Sequence, residues 1–234
     1  MELIFIRHGK TQGNLEGRYV GRTDEPILPE SRREILSRKM KNEYPPADIV
    51  FTSPMLRCIE TARIIYPGQK LIEIPDFCEC DFGEFEMKSY AELNGRADYQ
   101  AWIDRGGKDP FPGGESMDMV RKRSMRGFYR AMELAFRESD LLADNMAVGF
   151  DRMAESSFPG PDRTQKSTSG GPDFIMEQLF AGADSLMGPA NSAAFVVHGG
   201  TIMSILSTIC GGDFYDYQTG NGECVTVTIE SALM

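Results

Sequence analysis

Two stretches decide how this chain is read: residues 1–14, MELIFIRHGKTQGN, and residues 192–201, SAAFVVHGGT. Each is a short apolar run that stops at histidine and glycine. In the first, Glu2 to Ile6 leads into Arg7-His8-Gly9; in the second, Ala193 to Val197 leads into His198-Gly199-Gly200. Near-continuous apolar runs of this length, rich in β-branched residues, suit strands covered on both faces. His8 and His198 are the two histidines of the chain. Two separate strand–His–Gly turns that use every histidine are hard to ascribe to chance.

Outward from these turns, the chain alternates. Lys10-Thr11 can open a helix, and Ser31 to Tyr44 reads as an amphipathic helix capped by Ser31 and stopped by Pro45-Pro46. Asp48 to Thr52 is a second buried strand. Ser53-Pro54 then reads as an N-cap with proline at the first helical position, opening a helix to Ile65. Leu71 to Ile74 is a third strand, Cys78 to Ser89 an irregular acidic stretch, Tyr90 to Asp104 a helix, and Glu115 to Glu138 a long helix. Between Ala154 and Asp173, 12 of 20 residues are Gly, Pro, Ser or Thr, with a short helix expected at Phe174 to Met187. Thr201 to Ile209 is helical, and the alternating Glu223 to Ile229 is a last strand at an edge. Strands alternating with helices imply an α/β fold: a three-layer α/β/α sandwich with a mostly parallel central sheet. Ligands of such sheets bind beyond the carboxyl ends of the strands, where both histidines stand. Helix N-termini following those turns would favour an anion there.

Composition narrows the function. The chain has 234 residues and a formal net charge of −10, which disfavours nucleic acid and anionic membranes as partners. Its length suits a single domain, here residues 1–234 with a loop-rich insertion at about 139–191. No apolar run is long enough to span a membrane. The N-terminus lacks the basic and apolar regions of a secretory signal. Five cysteines, odd in number and without framework spacing, point to a reducing, cytoplasmic setting. Cys78-Glu79-Cys80 has too few partners to complete a zinc sphere.

An imidazole beside an arginine at a strand end can attack phosphorus, although a satisfied histidine next to a surface arginine explains Arg7-His8-Gly9 equally well by itself. The second turn, at His198, tips the balance. A general acid for the leaving group would come from Glu79, Asp81, Glu84, Glu86 or Glu115.

The motifs together resemble the histidine phosphatase (phosphoglycerate mutase-like) superfamily. They are Arg7-His8-Gly9-Lys10-Thr11 with Asn14, Ser53-Pro54-Met55-Leu56-Arg57 with Thr61-Ala62, Glu79 four residues before Gly83, Pro112-Gly113-Gly114-Glu115-Ser116, and His198-Gly199-Gly200. They occur in family order and span residues 1–138 and 192–230. The resemblance implies a phosphohistidine mechanism without metal or cofactor. His8 is the nucleophile, Glu79 the acid, and Arg7, Arg57 and His198 hold the phosphoryl oxygens. Asn14, Thr11 and the backbone at Gly199 assist. Arg7 and Arg57 are expected to depress the pKa of His8. The loop Gly17 to Pro26 resembles the substrate side of the phosphatase branch, α-ribazole phosphatase-like members in particular, which adds Arg18, Gly21, Arg22 and Thr23 as substrate-binding candidates.

The expected function is therefore hydrolysis of a small phosphorylated metabolite, with α-ribazole 5'-phosphate the named candidate. A phosphoglycerate mutase-type isomerase and a non-catalytic phospholigand-binding module are the alternatives. The mutase branch carries tryptophan just before the matching asparagine, whereas Gln12-Gly13 stands here. Met87 replaces a usual glycine after Glu86, and Ser31 another before the second helix. The insertion is expected to serve packing or a homodimer contact rather than to form a lid.

Overall fold

The computed structural model describes residues 1–107, 109–147 and 190–229, the side chains of residues 137–147 excepted. Five strands form one sheet: β1 (Glu2–Arg7), β2 (Ile49–Thr52), β3 (Leu71–Glu73), β4 (Ser192–Val197) and β5 (Cys224–Thr228). Their order is β3-β2-β4-β1-β5. All neighbours run parallel except β5, which lies antiparallel on β1.

Strand alternation splits the apolar residues between two layers. Leu3, Phe5, Phe51, Phe195 and Val197 face α6 (Met117–Ala147) and α7 (Gly199–Ile209). Ile4, Ile6, Val50, Ala194 and Val196 face α2 (Pro29–Met40) and α3 (Leu56–Ile65). The layer on α6 is aromatic at its centre: Phe195 stacks on Phe5 and Phe51 at 4.9 and 5.3 Å between centroids. A third cluster, around Phe85, Leu93, Tyr99 and Phe111, lies outside these two. It is built by the irregular stretch, by α4 (Tyr90–Leu93) and α5 (Ala97–Asp104), and by Val120 of α6.

Several helix ends differ from the sequence reading. α2 starts at Pro29, where proline suits the first helical position, so Ser31 is not its cap. Ser31 is buried in the first turn and accepts a hydrogen bond from the Lys10 N–H at 2.7 Å. α2 ends at Met40, ahead of Asn42, which takes a left-handed conformation (φ 58°). α3 starts at Leu56, not at Ser53-Pro54. The Ser53 hydroxyl accepts from Met55 N–H and faces His198 instead, and Asp24 accepts from the Leu56 N–H at 2.7 Å. The expected helix from Tyr90 to Asp104 is broken at Asn94-Gly95, where Gly95 has φ +83°. Lys10-Thr11 opens only one turn, α1 (Gln12–Leu15), capped by Thr11. α6 runs past Glu138 to Ala147, into the region read as insertion. The helix expected at 174–187 and the packing or homodimer role of the insertion lie outside the described residues. Among the described residues no helix is long and apolar enough to cross a membrane.

Met87 carries a local strain. Its φ is 57°, a left-handed conformation that costs a side-chain-bearing residue about 1–2 kcal/mol. Two backbone bonds hold it there: its N–H donates to Tyr19 O, and its carbonyl accepts from Arg18 Nη1 at 2.7 Å. Met87→Gly should therefore stabilise the chain by about 0.5–1 kcal/mol, the relief less the added freedom of glycine in the unfolded chain. Urea denaturation measures it; a loss of stability would show that the Met87 side chain contributes more than its backbone costs.

Candidate active site

The site grows from the pairing of β1 with β4. Their register sets Arg7 beside Val197, and the His8 N–H extends the ladder to Val197 O at 3.0 Å. His8 and His198 therefore leave adjacent strands at the same level. Their rings meet edge to face with centroids 5.1 Å apart, and both are buried.

His8 Nδ1 lies 2.8 Å from Gly9 O. A carbonyl can only accept, so Nδ1 carries the proton and Nε2 keeps its lone pair. The pKa of His8 is pushed well below the ordinary 6.5, chiefly by burial, next by Arg57 and less by Arg7. The sequence reading credited the two arginines alone; desolvation is the larger cause. His198 is pushed down likewise, by burial first and then by Arg57 and His8. Its Nε2 lies 2.9 Å from the Ser53 hydroxyl, and Cys58 Sγ is 3.6 Å from the same nitrogen.

Arg57, in the first turn of α3, is completely buried. Its Nη1 donates to Thr23 O and its Nη2 to Gly21 O, each at 2.9 Å. Arg7 Nη1 donates to Thr219 O at 2.8 Å. The Nε atoms of both arginines are buried without a hydrogen-bond partner. Two guanidinium groups with uncompensated N–H donors, beside an imidazole whose Nε2 keeps its lone pair, are chemically suited to phosphate oxygens.

Of the five acid candidates, four are committed elsewhere. Glu115 takes a two-pronged pair from Arg123 (2.9 and 2.8 Å) and accepts from Asp81 N–H. Burial pushes its pKa up, but Arg123 and the Asp81 N–H outweigh this and hold it low. Asp81 accepts from Gly83 N–H, Glu84 is exposed and lies 3.3 Å from Arg96, and Glu86 accepts from the Gly21 and Thr23 N–H groups. Glu79 faces His198, with Oε2 3.8 Å from its Nδ1. Burial raises its pKa, against the opposing pull of the Cys80 N–H and of Arg57. A carboxyl held toward its neutral form has a proton to give.

The remaining candidates divide. Asn14 and Arg18 line a cleft that opens beside Arg7, Glu79 and Gly200. The Asn14 amide oxygen is occupied by Thr11 N–H and by Asn221 Nδ2, each at 3.3 Å, which leaves its amide hydrogens for a ligand. Arg18 is bound to Glu16, Glu92 and Met87 O. Thr11 is buried as the cap of α1, its hydroxyl turned to Asn14 N–H. Gly21 and Thr23 act through their backbone: their carbonyls hold Arg57, and their N–H groups bind Glu86. A Cβ on Gly21 would lie 2.2 Å from Cys80 O. Arg22 is half exposed, 3.9 Å from Asp81 and 4.0 Å from Glu115. Gly199 opens α7 against the Arg7 guanidinium.

Sequence reasoning assigned no role to several residues that build this arrangement. Arg123 holds the acid loop by Asp76 O and Cys78 O as well as by Glu115. Thr61 accepts from Gly9 N–H and donates to Arg57 O, tying the His8-Gly9 turn to α3. Asn221 Nδ2 donates to His8 O. Arg123 and Asn221 carry no local signal: one sits on a helix rich in charge, the other in a glycine turn. Among the described residues no three His, Cys, Asp or Glu side chains group as metal ligands.

The chain belongs to the histidine phosphatase superfamily (branch 1), whose profile matches residues 3–142. It is 32% identical over 135 residues to a 2,3-bisphosphoglycerate-dependent phosphoglycerate mutase 2 of Gloeobacter violaceus, covering 54% of this chain and 61% of that protein. It is 29% identical over 139 residues to phosphoserine phosphatase 1 of Hydrogenobacter thermophilus, covering 55% and 62%. It thus spans about three fifths of the length of these two relatives. With the adenosylcobalamin/alpha-ribazole phosphatase of Escherichia coli it shares 26% identity over 63% of this chain and 75% of that protein. The fold matches the crystal structure of the alpha-ribazole phosphatase from Shigella flexneri with a TM-score of 0.66 at 18% identity, over 98% of this chain and 91% of that one.

Glu86 is a positioning residue for Arg57, because its Oε1 holds both N–H groups of the loop whose carbonyls hold the guanidinium (3.0 and 2.8 Å). Glu86→Ala should lower kcat by about 10²-fold, the scale for a misplaced reacting group. Glu86→Gln should restore most of that activity, since one amide oxygen can replace Oε1. Equal losses in both variants, or a thermal unfolding midpoint that falls as steeply as kcat, would make the role purely structural.

The histidines also set an acid limit on stability. Their folded-state pKa values lie below the ordinary 6.5, so the folded state binds fewer protons than the unfolded chain as the pH falls below 6.5. Their contribution is present above 6.5 and is lost as the pH falls toward the folded values. Glu79, with its pKa raised above 4.5, has the opposite sign: its contribution is present below 4.5 and lost as the pH rises through its folded value. The melting temperature should therefore decline between about pH 6.5 and 5, and decline less in His198→Gln. A melting temperature flat over that range would contradict the neutral, buried histidines.

Proposed function

We propose that this chain is a phosphomonoesterase that hydrolyses a small phosphorylated metabolite through a phosphohistidine on His8, in a reducing, cytoplasmic setting. The observation that carries the reading is the hydrogen bond from His8 Nδ1 to Gly9 O, which presents Nε2 as a nucleophile beside two buried guanidinium groups with unpartnered Nε atoms. Nε2 attacks phosphorus, the N–P bond forms, and the P–O bond to the alcohol breaks. Glu79 passes its proton to the departing oxygen. Water then attacks the phosphohistidine, Glu79 takes its proton, and the N–P bond breaks to release phosphate and neutral His8. Arg7 and Arg57 neutralise the equatorial oxygens, so positive charge comes from side chains rather than from a divalent ion. His198 lies beside His8 to support the same oxygens.

Hydrolysis is preferred to mutase chemistry for a local reason. A Cβ at Gly13, just before Asn14, would lie 2.4 Å from Val20 Cγ2 and 2.9 Å from Glu25 Oε1. The position therefore excludes the tryptophan that the mutase branch carries there. The phosphatase relatives add α-ribazole 5'-phosphate and phosphoserine to the substrates worth testing.

Brief turnover of a ³²P-labelled ester, followed by an alkaline quench, should leave an acid-labile, base-stable label on His8, absent in His8→Ala. Glu79→Gln should slow an alkyl phosphate by about 10²–10⁴-fold and an aryl phosphate much less, since a phenolate needs little protonation to leave. Normal turnover by His8→Ala would end this reading, and exchange between phosphoglycerate isomers faster than phosphate release would favour the mutase.

A further inference from the structure

The cleft beside the phosphoryl site is larger and more aromatic than phosphate recognition requires. It encloses about 490 Å³, within the range of sites that enclose a whole organic ligand. One end meets Arg7, Asn14 and Glu79; from there the walls are largely rings. Tyr19, Phe82 and Phe111 pack edge to face, with centroids 5.1 Å (Tyr19–Phe82), 5.0 Å (Phe82–Phe111) and 6.0 Å (Tyr19–Phe111) apart. Trp102 stacks on Phe111 at 4.8 Å. These rings pack on one another, and their polar atoms are already used: Trp102 Nε1 donates to Asp109 O, and the Tyr19 hydroxyl pairs with that of Tyr99.

Two further rings of the lining are left largely in water. Tyr90 is 61% exposed and Tyr215 is 74% exposed. Tyr90 packs on Tyr19 at 5.2 Å. Tyr215 stands on the turn after α7, where Phe214 lies under the Arg121 guanidinium at 5.9 Å. Exposed aromatic surface continuous with a reaction site marks a place where a ligand covers it.

Charge among the described residues disfavours the other class of alcohol. Among the described residues that line the cleft, the cations are Arg7 and Arg18. Arg7 belongs to the phosphoryl end. Arg18 lies between the carboxylates of Glu16 and Glu92 at 2.5 and 2.7 Å, so its charge is already answered. A carboxylate on the substrate, as in phosphoserine or phosphoglycerate, would enter an aromatic cleft without an uncommitted cation and lose hydration.

We propose that the leaving alcohol carries a flat, uncharged aromatic group, which packs in this cleft against the exposed rings of Tyr90 and Tyr215. The inference rests on the hydrolase reading above only for the direction in which the phosphoryl group points.

Three esters with alcohols of similar leaving ability test it by phosphate release: 2-(2-naphthyl)ethyl phosphate, ethyl phosphate and O-phosphoserine. The naphthyl ester should exceed ethyl phosphate in kcat/KM by about 10–100-fold, the scale of stacking one aromatic group, mostly through KM. Phosphoserine should gain nothing over ethyl phosphate. Tyr215→Ala and Tyr90→Ala should each reduce the naphthyl-to-ethyl ratio several-fold. In parallel, calorimetry compares 2-(2-naphthyl)ethylphosphonate with ethylphosphonate, neither of which can be hydrolysed; tenfold tighter binding of the naphthyl compound is expected. Turnover with a ratio near one, or a preference for phosphoserine, would overturn the aromatic subsite and leave the hydrolase intact. If no ester is hydrolysed, the hydrolase reading fails, and the phosphonate pair alone decides the subsite: a tenfold preference sustains it, and equal affinity overturns it.

Discussion

The register of β1 against β4 is the constraint on which the site depends. Arg7 pairs with Val197, so the next residue on each strand is a histidine. A one-residue slip would turn Leu3 and Phe5 away from the aromatic layer and move Ile4 and Ile6 into it. It would also separate the rings of His8 and His198. Burial of the alternating residues on both faces therefore fixes the distance between the two imidazoles. The core sets the geometry of the chemistry, and no separate device is needed to bring the histidines together.

Around that pair, the irregular segments are held by side-chain bonds to backbone rather than by secondary structure. Glu86 holds the N–H groups of Gly21 and Thr23, and their carbonyls hold Arg57. Glu115 and Arg123 hold the loop of Glu79. Asn221 and Gly222 hold the carbonyl of His8. In each case a loop of awkward shape is fixed by satisfying backbone donors and acceptors that would otherwise be costly to bury. This explains why several acidic residues near the site are unavailable as acids: their charge is spent on architecture.

The sequence was most legible where periodicity operates. Short apolar runs located four strands and an alternating one the fifth, because burial on both faces or on one face of a sheet imposes its own pattern. Helix starts were less legible. Ser31 and Ser53 look like caps by type, yet one binds Lys10 N–H and the other faces His198, since tertiary partners outcompete the local cap. Gly95 did not announce the break between α4 and α5, because a single glycine is also tolerated within a helix. At the site, motif residues were readable and their supports were not. Arg123 reaches the carbonyls of the Glu79 loop across 44 to 47 positions of chain, and Asn221 reaches His8 across 213, which no local spacing records. Gly21 and Thr23 were read as substrate contacts, but their backbone groups are engaged with Arg57 and Glu86.

The electrostatic design follows from those contacts. Burial and neighbouring cations push both histidines toward neutrality, and burial pushes Glu79 the same way. Arginine side chains stay charged in proteins, so Arg7 and Arg57 dominate the charge of the pocket. Two buried like charges would repel in the absence of a ligand, and each keeps an Nε donor unpaired. A phosphate dianion carries the matching charge and acceptors that can meet those donors. Neutral histidines matter to that balance: a protonated His8 would add a third positive charge and remove the lone pair that the proposed mechanism uses. On the proposed mechanism, the same burial that makes the site costly to fold keeps the His8 lone pair available, which links the acid limit on stability to the proposed attack on phosphorus.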